Sequence, residues 1–164
     1  MISGLMAFTL FHVVLSLVGI FAGFVVVFGL LTAKPLDGWT AVFLWTTVLT
    51  SVTGFLFPVH GLLPSHVLGI LSLIALAIAI YARYQRHIEG GWRPAYVISS
   101  VIALYLNVFV LVVQLYRKVP ALKAIAPTQT EAPFKITQLT VLLLFIALGI
   151  LATIRFHDER LRAA

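Results

Sequence analysis

Residues 1–33 read MISGLMAFTLFHVVLSLVGIFAGFVVVFGLLTA and carry no Asp, Glu, Lys or Arg. A helix needs about 20 apolar residues to cross the hydrocarbon core of a bilayer, so this stretch is long enough to span one. It has no basic n-region and outruns the roughly 7 to 15 residues of a cleavable signal core, so it is expected to stay as a first span, about Leu5 to Leu31. The turn Lys34-Pro35-Leu36-Asp37-Gly38 ends it with helix breakers and two charges.

Outward from this stretch the pattern repeats. No charge falls between Gly38 and Ala82, between Pro94 and Tyr116, or between Ile136 and Ile154. The 164 residues are 62% hydrophobic and 10% charged, where a soluble domain carries about a quarter charged residues. A water-soluble fold is therefore excluded. The long second gap is divided at Pro58 and Pro64, because the residue before a proline is pushed out of the helical region. Spans are accordingly expected at about Trp39 to Phe57, Ser65 to Arg83, Pro94 to Tyr116 and Ile136 to Ile154, the last reached through a connection holding Pro120, Pro127 and Pro133. Strand periodicity is absent and backbone groups at membrane depth must pair internally, so the expected fold is an all-α bundle of about five transmembrane helices in one domain, 1–164.

The net charge of +6 comes from cations that border the apolar runs and do not cluster with aromatics, which argues against nucleic acid. Lys34, Arg83, Arg86, Arg93, Arg155, Arg160 and Arg162 fall on one side of the expected topology, and Arg117, Lys118, Lys123 and Lys135 on the other. The positive-inside rule makes the first side cytoplasmic in a cell inner membrane, with the amino terminus outside and the carboxy terminus inside. Trp39 and Trp92 suit headgroup-level anchors. The absence of Cys excludes disulfides, thiolate ligands and a cysteine nucleophile.

Polar and small residues recur at helical spacing. His12, Ser16, Gly19 and Gly23 share one face of the first span, and the Gly19/Gly23 pair forms a GxxxG packing motif. Ser100, Asn107 and Gln114 form a polar stripe on the fourth span that should face protein, since a bare amide in hydrocarbon costs several kcal/mol in the limit. Ser65, Gly69, Ser72, Ala75 and Ala79 make a small-residue stripe on the third. Thr46, Thr50 and Thr53 can bond back to their own helix.

Three of the five histidines, His12, His60 and His66, fall toward the outer side, with Gln114 and Gln138 near the same level. Ionisable groups within spans are functional candidates by default. A single b-type haem held by His12 and His66 across the bundle is one reading, with Asn107, Gln114 or Gln138 orienting a ring. Zinc or copper on His12, His60 and His66 is another. In the third, His12 bonds Asn107, Gln114 or a carbonyl and binds nothing. All five acids lie in loops or the tail, and no nucleophile, nucleotide or zinc-protease motif is present, so no reaction is indicated and enzymatic activity stays open.

The segments Phe11-His12, Pro64-Ser65-His66 and Tyr105-Leu106-Asn107 resemble those of small uncharacterised multi-pass bacterial inner-membrane proteins, a resemblance that covers most of the chain and implies no activity. The placing of histidines near helix ends is also similar to small b-type membrane cytochromes, although the four intramembrane ligands of a two-haem protein are missing. Three functions are expected to compete: a single-haem electron carrier; a cofactor-free scaffold or assembly partner, binding other membrane proteins or its own copies through the small-residue stripes; and a narrow transport unit lined by Ser100, Asn107 and Gln114.

Overall fold

The computed structural model describes residues 2–57 and 64–162. Within them the chain forms α1 (Ile2–Leu31), α2 (Asp37–Gly54), α3 (Pro64–Ile80), α4 (Trp92–Lys118), a short α5 (Pro120–Ile125) and α6 (Ala132–Arg162). Among the described residues there is no strand. Four helices, α1, α3, α4 and α6, are long and apolar enough to cross a membrane. The fifth long helix, α2, has 18 residues, or ~27 Å of length, and interrupts its apolar surface with Thr40, Thr46, Thr47, Thr50 and Thr53.

The helix ends follow local chemistry. Asp37 opens α2, where a carboxylate complements the positive end of the helix dipole. Pro120 starts α5 at a position whose missing N–H costs nothing. Below α3 the helix widens into a π turn, Tyr81–Gln85, and the chain reverses through His87 and Ile88, both in the left-handed backbone region. Ahead of α6, the Glu131 carboxylate accepts from the Thr128 hydroxyl at 2.7 Å and from the backbone N–H groups of Thr128 and Thr130, and these bonds hold its pKa below the usual value.

Helices α1, α2, α3 and α4 form a ring in which each packs on its two neighbours, and α6 lies outside it against α1 and α4. The ring interior holds Ala22, Phe43, Leu44, Leu76, Ala79, Val97, Ala103 and Leu104, all buried. Most of α4 is buried and most of α6 is not, so α4 is the central element and α6 offers lipid a long apolar face. Close backbone approach comes from the glycines of α1. A Cβ on Gly23 would stand 2.6 Å from Leu104 Cδ1 and 3.0 Å from the Phe43 ring, so this glycine lets α1 meet α2 and α4.

One end of the bundle carries the Lys34 turn, the π turn and Trp92, and is the basic end. Arg83 there has a side chain only 9% exposed, pairs with Asp37 and donates to the Tyr96 hydroxyl at 3.3 Å. Arg93 donates to the Phe156 carbonyl at 2.7 Å and lies over that residue's ring.

Candidate functional site

The opposite end is the histidine end. His12, on α1, points at the last turn of α2, with its Nδ1 2.8 Å from Thr53 Oγ1. The Thr53 hydroxyl donates to the Leu49 carbonyl at 2.7 Å, which spends its one proton. The oxygen therefore accepts from His12 Nδ1–H, and the neutral ring keeps its lone pair on Nε2. Phe57 meets the His12 ring edge-on at 5.0 Å, and Phe8 packs on Phe57. His66, in the first turn of α3, is buried and stacks on Phe55 at 5.5 Å, with Gly69 giving the Phe55 ring room. Because Thr53 and Phe55 are two residues apart on one helix end, His12 and His66 occupy one layer, on helices that face each other across the ring.

His60, the third expected ligand, lies outside the described residues. Among the described residues no group of three His, Cys, Asp or Glu side chains is placed to hold a metal ion. A porphyrin would need a slot between the two imidazoles, and Phe55 lies flat on one while Phe57 abuts the other. The residues described here thus do not fit a haem without moving both phenylalanines. The amides expected to orient His12 sit elsewhere: Gln138 Nε2 donates to the Phe109 carbonyl at 3.3 Å, Gln114 is half-buried near the end of α4, and Asn107 lies deep in the ring. The orienting group is Thr53.

The more extensive polar feature is a seam inside the ring. At its middle, Thr46, Thr47 and Asn107 pack closely on the backbone of Gly19: a Cβ on this glycine would stand 3.0 Å from Thr46 Oγ1, 3.1 Å from Thr47 Oγ1 and 3.6 Å from Asn107 Nδ2. Thr47 Oγ1 and Asn107 Nδ2 are buried and have no hydrogen-bond partner. Towards the histidine end follow Thr50, bonded back to the Thr46 carbonyl, the Ser51–Ser72 pair at 3.2 Å, and then Thr53 with His12.

Towards the basic end, the Tyr96 hydroxyl interacts with Thr40 and Ser100 and accepts from Arg83. Ser100 Oγ lies beside it, buried and short of good hydrogen-bond geometry. A cleft of about 350 Å³ lined by Pro35, Asp37, Arg83, Tyr84, His87 and Ile88 lies at this end of the bundle, with Arg83 common to the cleft and to the Tyr96 contact. Between the two polar stretches Phe43 and Leu104, 1% and 0% exposed, close on Gly23 as an apolar plug.

The α2 half of this seam is absent from the reading of the sequence, which assigns its threonines to their own helix. They do bond back to it, as Thr46, Thr50 and Thr53 show. The signal that could have found the seam is the heptad spacing of Thr40 and Thr47, which matches that of Ser100 and Asn107 on α4. Gly19 and Gly23, expected to bind partner helices in a scaffold, face α2 and α4 of their own chain instead. Ser72, Ala75 and Ala79 likewise pack inside. In comparisons with known proteins, no family model matches the chain, and neither do curated proteins or solved structures.

Proposed function

We propose that this membrane protein is a small permeation unit for water or small neutral polar solutes, closed in the present conformation by Phe43 and Leu104. The observation that carries the reading is the pair of buried, unpartnered polar atoms, Thr47 Oγ1 and Asn107 Nδ2, in the interior of a lipid-embedded ring. Each such group costs about 1–3 kcal/mol when left unsatisfied, and lipid offers no partner. Water or a polar solute does. The lining is hydroxyl and amide, with no charge between Asp37 and Arg83 on α2 and α3 or between Pro94 and Tyr116 on α4. Cations face Arg83 at the basic mouth, and anions find no positive group at mid-membrane, so neutral species suit the path. We further infer the orientation from the positive-inside rule, with the basic end cytoplasmic in a cell inner membrane.

The test is osmotic shrinkage of proteoliposomes containing the full chain, followed by light scattering with glycerol or urea as solute. Flux above that of protein-free vesicles, lowered in Asn107→Leu, is expected. Equal flux in empty, wild-type and Asn107→Leu vesicles overturns the reading.

A redox role for the histidine end is a second reading, supported by the Thr53 bond that leaves His12 Nε2 with its lone pair. It requires Phe55 and Phe57 to give way. Protein expressed with haem supply should then show a Soret band that is lost in His12→Ala and in His66→Ala, and colourless protein removes this reading.

A further inference from the structure

We propose that the cleft at the basic end is a binding site for the headgroup of a phospholipid with a primary ammonium, phosphatidylethanolamine. Among its lining residues Asp37, in the first turn of α2, and Arg83, in the π turn after α3, form an ion pair. Its volume of about 350 Å³ lies at the lower end of the roughly 300–1,000 Å³ of small-molecule sites. A guanidinium has five N–H donors, and Arg83 gives one to Asp37 and one to the Tyr96 hydroxyl. A carboxylate has about four lone-pair sites, and Asp37 accepts from Arg83 at one of them. Donors on one side and acceptors on the other are thus left for a ligand.

The pair decides the ligand class. A divalent cation would find one carboxylate and be repelled by the adjacent guanidinium, and a simple anion would gain Arg83 and be repelled by Asp37. A ligand with both charges a few bonds apart lies antiparallel to the pair and meets an opposite charge at each end. The place of the cleft selects a lipid over a soluble zwitterion. One apolar span, Pro64–Gln85, ends at it and the next begins at Trp92, and Trp39 and Trp92 suit headgroup level. In the lipid the phosphate is joined to glycerol and the ammonium is terminal. The side chains match that order, Arg83 being 9% exposed and Asp37 82%. A choline headgroup has no N–H to donate to the carboxylate, and phosphatidylglycerol brings no cation.

The test is native mass spectrometry of the full chain released from vesicles holding equal parts of phosphatidylethanolamine, phosphatidylcholine and phosphatidylglycerol. The wild type is expected to retain phosphatidylethanolamine over phosphatidylcholine by about tenfold, the effect of one charge-assisted hydrogen bond. Stepwise N-methylation of the headgroup changes no residue of the protein, and retention should fall at the third methyl, which removes the last N–H. Asp37→Asn should lose the preference and Asp37→Glu should keep it; because the readout is a ratio of lipids on folded protein, a loss of stability alone does not move it. Equal retention of the three lipids, preference for phosphatidylglycerol, or an unchanged preference in Asp37→Asn overturns the site. Displacement of the lipid by soluble phosphoethanolamine would place the ligand in water and reject the lipid. The site needs no flux through the ring, so its failure leaves the permeation reading standing, and the reverse holds.

Discussion

His12 is the side chain whose chemistry depends most on a single contact. Its inward direction was legible from the shared face of His12, Ser16, Gly19 and Gly23, but its partner was not, since Thr53 is 41 residues away and has a local use for its hydroxyl. A hydroxyl has one proton and two lone pairs, so bonding back to Leu49 leaves Thr53 able to accept as well. Thr53→Val keeps the shape and removes the acceptor. The variant is expected to lose about 1–2 kcal/mol of stability in detergent, and the histidine ring ¹⁵N shifts should move as the Nε2–H tautomer gains population. The double variant His12→Phe/Thr53→Val should recover most of the loss, because removing both partners leaves nothing unsatisfied. Unchanged stability and unchanged ring shifts in Thr53→Val would show that the bond does not orient His12.

At the scale of the elements, charge spacing made most boundaries readable. The first span was expected at Leu5 to Leu31 and α1 runs Ile2–Leu31; the fourth was expected at Pro94 to Tyr116 and α4 runs Trp92–Lys118. Apolar runs and flanking charges are local properties, so they survive translation into helices. The π turn at Tyr81–Gln85 and the short α5 were not foreseen, because each depends on how the chain must reverse between already placed helices.

Helix contacts follow the same division. GxxxG spacing announces a close approach without naming the neighbour, and only the fold shows that Gly23 admits Leu104 and Phe43. Gly23→Ala should destabilise the bundle by about 1–3 kcal/mol through overpacking, since both neighbours are buried and cannot swing aside. Gly4→Ala, with nothing within 4 Å of the new Cβ, should be neutral or stabilising by up to about 1 kcal/mol from helix propensity alone. Unfolding titrations of both variants check the opposite signs. Destabilisation of similar size in both would mean that helix propensity in the bilayer, and not the α1–α4 contact, sets the effect.

For the whole molecule, the decisive property is that the polar seam is interrupted. Thr40 and Thr47 are seven residues apart, as are Ser100 and Asn107, and seven residues span ~10 Å of helix. Over that length the ring interior belongs to Phe43, Leu104 and Ala103, all buried. On the permeation reading proposed above, an apolar constriction of this kind would block passage by excluding water, without any charged barrier. The ring order of the helices that brings these residues together is a tertiary property, which explains why composition and spacing located the bilayer but not the plug. Shortening the plug should therefore open the path: Leu104→Ala and Phe43→Ala are each expected to raise solute flux in vesicles several-fold, while Asn107→Leu lowers it. Both truncations also create cavities that cost about 2–5 kcal/mol, and a loosened bundle could leak for that reason alone. Phe145→Ala separates the causes, because Phe145 is buried against Phe24 and Tyr105 on the α6 side, outside the ring. It should lower stability to a similar degree and leave flux unchanged. If Phe145→Ala leaks as much as Leu104→Ala, the rise reports general loosening and the Phe43–Leu104 layer is not a gate.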